Sequence, residues 1–171
     1  MSGPDIENCL RSITILVDTR EQPSERAERR YKSFSCPYRR QKLNYGDYSA
    51  EIILPDGQAV VIRAAVERKM NLEELSNCLT HGRDRFRREF ERARADNAVV
   101  YLLVENATWE NLINGKYRTK FNSRAFLASV TAWIARYGLR PIFCKAETSG
   151  RLIKEILYRE AKQRLKAGEY G

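Results

Sequence analysis

Three side chains have the types and spacing for phosphodiester chemistry. Asp47 is followed twenty positions later by Glu67, and Lys69 stands two residues beyond that. Cutting a phosphodiester requires an activated water, neutralised phosphate charge and a stabilised leaving oxygen, and a divalent cation supplies part of each. Magnesium takes hard oxygen donors from one or two carboxylates and keeps several waters. Asp47 and Glu67 are candidate carboxylates, and the backbone carbonyl of Arg68 is a candidate third donor. Lys69 can orient or deprotonate the attacking water, or offset the charge of the phosphate. Taken alone, Asp…Glu-x-Lys is weak evidence in a chain with 31% charged residues, where it also arises as a solvated ion-pair cluster.

These residues need a hairpin to bring them together. Tyr48 to Leu54 reads as a strand, Pro55-Asp56-Gly57 as a turn and Ala59 to Val66 as the return strand. A four-residue loop would pair Leu54 with Ala59 and so Asp47 with Val66. That register turns Asp47 and Glu67 to opposite faces, because side chains alternate along a strand. A bulge or an odd-length loop is therefore expected, most naturally near Gly46. Glu67 and Lys69 share a face on any extended reading.

The flanking chain supplies the scaffold. Residues 1–12 read as a loose lead-in, and Ile13-Thr14-Ile15-Leu16-Val17 as a buried strand that ends in Asp18-Thr19-Arg20-Glu21. Residues 24–32 are a polar helix or a loop, and 35–50 are irregular but extended. Asn71 caps a helix with Glu74 as its capping-box partner. That helix follows Leu72, Leu75, Leu79, Phe86, Phe90 and Ala93, with Gly82 able to split it. Ala98 to Val104 is a central strand, Thr108 to Asn114 a short helix, and Lys116 to Lys120 a basic loop. Asn122 or Ser123 caps a helix ending at Gly138, Leu139 to Cys144 is the last strand, and Thr148 or Ser149 caps the final helix. Strands interleaved with helices give an α/β fold with a mixed sheet.

Composition bounds the rest. The 171 residues suit one domain, and a formal charge of +9 favours an anionic partner such as nucleic acid. Cys9, Cys36, Cys78 and Cys144 form no C-x-x-C pair, and there is one histidine, which argues against zinc. Scattered cysteines without a secretory signal suit a reducing, intracellular compartment, cytoplasm/nucleoid or nucleus. No run approaches eighteen apolar residues, so no membrane partner is expected. His81, Trp109 and Trp133 read as ordinary helix or core residues. The arginines of 83–94 divide between DNA contact and a solvated helix face.

Three ordered stretches carry a resemblance: Val17-Asp18-Thr19-Arg20-Glu21, Leu43-Asn44-Tyr45-Gly46-Asp47-Tyr48 and Val66-Glu67-Arg68-Lys69. They resemble the XPF-type structure-specific endonucleases (the XPF and Hef nuclease domains), a branch of the restriction-endonuclease-like superfamily. That family carries V-D-x-R-E, then G-D, then E-R-K-x-x-x-D. The resemblance implies a restriction-endonuclease-like mixed central sheet flanked by helices over 13–171. It implies a Mg2+- or Mn2+-dependent endonuclease acting on branched or flap-containing DNA in repair or recombination and leaving a 5′ phosphate. Asp47 and Glu67 are then metal ligands with the Arg68 carbonyl, Lys69 is the catalytic lysine, and Asp18 is a further acid reaching the metal through water. Arg20, Glu21 and Arg68 complete the catalytic set. Arg83 resembles the arginine of a family Gly-Arg pair and joins Arg87, Lys116, Arg118 and Lys120 as expected DNA contacts. Family nuclease domains pair, so a homodimer or heterodimer through residues 126–137 and 152–165 is expected, and a helicase or DNA-binding partner is a further expectation. Two departures stand out. The final Asp of the signature is Glu73 here, and one helix after the last strand leaves no room for the family's helix-hairpin-helix module. The rival reading is a catalytically silent DNA-binding or partner-binding domain of the same fold; an RNA-directed nuclease is a third.

Overall fold

The computed structural model describes residues 1–170. Its centre is the apolar run 98–104, realised as strand β6 (Val99–Glu105). β6 lies parallel to β5 (Ala64–Lys69) on one side and to β7 (Arg140–Cys144) on the other. β5 runs antiparallel to β3 (Tyr48–Ile53), which is antiparallel to β1 (Thr14–Val17), and β1 is parallel to the short edge strand β2 (Tyr38–Arg40). The order is β2-β1-β3-β5-β6-β7, with β4 (Ala59–Val61) also paired to β3. The sheet is mixed, as expected.

Helices cover both faces because β6 and its neighbours are apolar on both. On one face lie α1 (Gly3–Arg11), α2 (Glu25–Lys32) and α7 (Ala146–Lys166). Their inward rows meet Ile15, Val17, Ala50, Ile52 and Leu103 in one core. On the other face lie α3 (Leu72–Leu79), α4 (Arg83–Ala95), α5 (Trp109–Ile113) and α6 (Ser123–Tyr137). There Phe86 and Phe90 pack on Trp133, which is 4% exposed and so a core residue. Most of the apolar residues expected at a dimer surface are used inside the fold: Phe126, Val130 and Trp133 of α6 and Ile153, Leu157 and Leu165 of α7 are buried.

Three expectations are corrected and a fourth is sharpened. Residues 1–12 are not a loose lead-in: Ser2 and Asp5 form a capping box, and Ile6, Cys9 and Leu10 make a buried helical stripe. Asn71 caps α3 as expected, its Oδ1 accepting from Glu74 N–H, but the box does not close on Asn71, since Glu74 Oε2 accepts from Met70 N–H instead. α7 begins at Ala146, ahead of Thr148 and Ser149, whose hydroxyls donate back to the carbonyls of Lys145 and Ala146 instead of capping. The fourth concerns the hairpin. Its loop spans five residues, the odd length expected, with Ile53 opposite Ala59. From Glu51↔Val61 to Tyr48↔Val66, β3 advances three residues while the return strand advances five. One irregularity thus falls at Ile62 and Arg63, between β4 and β5; a second stands beside Gly46 as expected, where Asp47 N–H donates to the carbonyl of Val66, the register partner of Tyr48, so that two residues oppose one. Asp47 Oδ2 then accepts from Arg68 N–H, and its carboxylate lines the same cleft as Glu67.

Gly46 has a different task. It adopts φ +71°, and a Cβ there would stand 2.7 Å from the Ala65 Cβ. Only glycine lets the backbone before Asp47 come this close to β5. Gly82 separates α3 from α4, as its position in the apolar period suggests. Gly150 serves packing: a Cβ would lie 2.0 Å from Ser33 Oγ and 2.4 Å from the Arg30 carbonyl, so α7 crosses α2 at backbone contact.

Candidate active site

The end of β5 points two chemistries in two directions. Glu67 and Lys69 face the α3–α4 side, and Arg68 faces the α2–α7 side, as strand alternation requires. Asp47 joins the first pair. Its Oδ2 accepts from Arg68 N–H at 2.7 Å, and its own N–H donates to the Val66 carbonyl at 2.9 Å. The Lys69 ammonium donates to Glu67 Oε1 and lies 5.2 Å from the centre of the Phe86 ring. These bonds occupy one oxygen of each acid. Asp47, Glu67 and Lys69 line a cleft of about 570 Å³ whose walls include Arg20, Arg26, Arg85 and Glu89.

The electrostatics mark this as a place that wants a cation. Burial and then the Glu67 carboxylate push the Asp47 carboxyl well above the ordinary range. Burial also raises Glu67, with Lys69 opposing. Burial acts against the charge on Lys69, but Glu67 and Asp47 outweigh it and hold the ammonium protonated far above the lysine range. Two crowded carboxylates are thus balanced by one lysine. Among the described residues no group of three or more His, Cys, Asp or Glu side chains could hold a metal ion. A pair of carboxylates with a backbone carbonyl still fits magnesium, which fills its remaining positions with water. Arg68 N–H points at Asp47, and in a strand the carbonyl of a residue points to the same edge as its N–H. The Arg68 carbonyl is therefore turned toward the two acids.

The first motif divides between two tasks. Asp18 is fully buried, and it does not line the cleft. Its Oδ1 accepts from Arg20 N–H at 2.8 Å and Arg20 Nε at 2.7 Å, and its Oδ2 accepts from Leu43 N–H at 2.7 Å. In this arrangement Asp18 aims Arg20 and pins the chain that leads to Gly46. Arg20 extends to the cleft, 3.7 Å from Glu89. Glu21 turns to the other side of the sheet, where Oε1 accepts from Arg30 Nη1 at 2.9 Å and from Tyr48 Oη at 3.0 Å.

That other side holds a buried ionic network. The Arg68 guanidinium forks onto both oxygens of Glu105, at 2.8 and 2.9 Å. Arg30 joins Glu21 and stands 3.5 Å from Glu105. Burial acts to raise Glu105, but the bonds from Arg68 and the charges of Arg68 and Arg30 outweigh it and hold the carboxyl below the usual glutamate range. The fork ties β5 to β6 just where Glu67 and Lys69 must be held still.

None of the five expected DNA contacts lines the cleft. Arg83 is exposed at the start of α4, and Arg87 is drawn to Asp84 at 3.6 Å and Glu91 at 3.8 Å along the same helix. The cleft-facing pair on α4 is instead Arg85 and Glu89, one helical turn apart. Lys116, Arg118 and Lys120 ride on a loop docked to α3, where Glu73 Oε1 accepts from Arg118 N–H at 2.7 Å. The longer acid at the end of the signature thus anchors this loop. Tyr117 is not a free stacking platform, since its ring packs on Phe126 and its hydroxyl donates to the Phe121 carbonyl.

Sequence reasoning missed Glu89, Arg30 and Glu105, and did not single out Arg85 among the arginines of 83–94. Glu89 is notable because its Oε1 accepts from Gly46 N–H at 2.8 Å and so helps set Asp47. Glu105 carried a readable signal, an acid ending an apolar strand, as Asp18 does. Arg30 carried none, being one of many charges on a polar helix.

Comparison with known proteins places this geometry. The model of the ERCC4 domain matches residues 17–156. Among solved structures, XPF from Aeropyrum pernix is similar with a TM-score of 0.59 and 22% identity, over 84% of this chain and 59% of that one. XPF from Aeropyrum pernix in complex with DNA is similar with a TM-score of 0.61 and 24% identity, over 88% of this chain and 65% of that one. The chain thus spans less than two thirds of the length of either. No curated protein matches it.

Proposed function

The chain belongs to the ERCC4 domain family, and from that membership we propose that it is a metal-dependent DNA endonuclease, using magnesium or manganese to cut phosphodiesters at branches or flaps. One observation carries the reading: Asp47, Glu67 and Lys69 line one open cleft at the end of β5, with Asp47 bonded to Arg68 N–H and Lys69 to Glu67. Asp47, Glu67 and the Arg68 carbonyl would hold the ion. When bound, the ion would lower the pKa of a water and neutralise charge on the phosphate. The chain's own residues do the rest. Lys69 holds an ammonium beside the site, able to offset charge on the phosphoryl oxygens as the bond breaks. Arg20, aimed by Asp18, and Arg85 from α4 bring cations to the cleft walls and would hold the strand's phosphates. The Arg68–Glu105 fork keeps β5 from shifting under the substrate.

The test is incubation of branched, nicked and linear DNA, with a parallel RNA, in magnesium and in manganese. The expected result is cleavage of branched DNA that chelation stops and that Asp47→Ala and Lys69→Ala each abolish. Cleavage that persists in both variants would overturn the assignment. A gel shift without cleavage in either metal would favour the binding-module reading.

A further inference from the structure

Behind the catalytic cleft, across the end of the sheet, lies a second cavity of about 480 Å³ between α2 and the first turn of α7. Arg26, Arg29 and Arg30, all on α2, line it. Arg26 and Arg30 line the catalytic cleft as well, so the two spaces meet at α2. Ala146 and Glu147, at the N-terminus of the 21-residue α7, form the facing wall. No side chain caps that terminus, so its first N–H groups are left for another acceptor, and the helix dipole adds positive potential there.

An independent observation concerns Arg30. It is 6% exposed, and its Nε has no hydrogen-bond partner among the described residues. A buried guanidinium N–H without an acceptor is costly. The other nitrogens of Arg30 are engaged, Nη1 with Glu21 and Tyr48 and Nη2 at 3.5 Å from Glu105, so the open donor is Nε. Glu105 is taken by Arg68, Glu21 by Arg30 and Tyr48, and Glu25 pairs with Arg29 in solvent at 3.2 Å. Glu147 is the remaining acid of the lining, against three arginines.

We propose that this cavity is a phosphate-binding subsite, taking a phosphoryl group of a nucleotide, either free or in a strand. The chemistry is that of phosphate recognition elsewhere: guanidinium groups facing backbone N–H groups at a helix N-terminus. The subsite does not use the carboxylate pair, and it stands or falls separately from cleavage.

The experiment is titration of the whole chain, carrying Asp47→Asn so that no substrate is consumed, followed by amide and arginine Nε resonances in NMR. The probes are inorganic phosphate, a 5′-mononucleotide, and a short single strand with hydroxyl ends. Saturable shifts centred on Ala146, Glu147 and the Arg26 and Arg29 Nε signals are expected. Binding by the first two probes alone identifies a terminal phosphate, and binding by the single strand identifies an internal diester. Arg26→Ala and Arg29→Ala should each weaken binding about tenfold. Ala146→Glu, which places a carboxylate where α7 accommodates one, should abolish it in a folded protein. Absence of shifts at Ala146 and Glu147 with saturating phosphate overturns the proposal. So does an equal loss in the control Arg136→Ala, on the exposed side of α6.

Discussion

Strand β5 ends in two regions that share a backbone and differ in every other respect. On one face, Asp47 and Glu67 crowd each other beside a single lysine, and burial pushes both carboxyls up. On the other, Glu21, Arg30, Arg68 and Glu105 are paired and bonded, and Glu105 is held down. The first arrangement is electrostatically unfinished, and its free oxygens are open to a cleft. In the second every acid is paired with an arginine, and Arg30 Nε alone is left without an acceptor among the described residues. The same strand can hold a strained pair of acids on one face because its reverse side is locked. A buried ion pair need not add net stability, but breaking one leaves a charge without compensation.

The largest expected effect comes from breaking the closed side. Glu105→Ala strands Arg68 and should cost about 3–5 kcal/mol in urea unfolding. If stability is unchanged, the network is not what fixes β5. Next comes the open side: Asp47→Asn should lower cleavage about 10²–10³-fold while the urea midpoint holds or rises, because a crowded carboxylate is removed. A fall in both together would merge the two regions into one. Between them, Gly46→Ala meets both a positive φ and the Ala65 Cβ, and should cost about 1–3 kcal/mol, with activity falling as Asp47 is displaced from Glu67.

The fourth expectation is in pH. Glu105 is lowered from its ordinary value of 4.5, so the unfolded chain binds its proton first as the solution is acidified. Its contribution is present above that value and is lost as pH falls through the lower, folded one. Urea curves at stepped pH should show the gap between wild type and Glu105→Gln closing in that acid window. A gap constant down to the lowest pH would refute the assignment. The smallest effect is Arg87→Ala, within about 0.5 kcal/mol in stability and with DNA affinity retained, against a clear loss in Arg85→Ala by anisotropy titration.

How much of this was legible in the chain follows from physical range. Alternation alone makes Glu67 and Lys69 share a face, and the Pro-Asp-Gly turn sends the hairpin back toward Asp47. The apolar run 98–104 declares a central strand, and Gly82 and Gly138 mark helix ends, because such signals are local. Other features were decided by pairing across the sheet and by packing. The register slip at Ile62 and Arg63 depends on how β3 meets two successive segments, and no single stretch encodes it. Asp18 became a brace because Leu43, twenty-five residues away, brought its N–H to the carboxylate. Arg85 rather than Arg83 or Arg87 reached the cleft because packing of Phe86 and Phe90 against Trp133 sets the rotation of α4. Residue types and strand alternation are enough to say which groups can do the chemistry and which faces of β5 they occupy. Which charges are satisfied and which stay open is settled by the folded arrangement, since each charge finds its partner among neighbours distant in the chain.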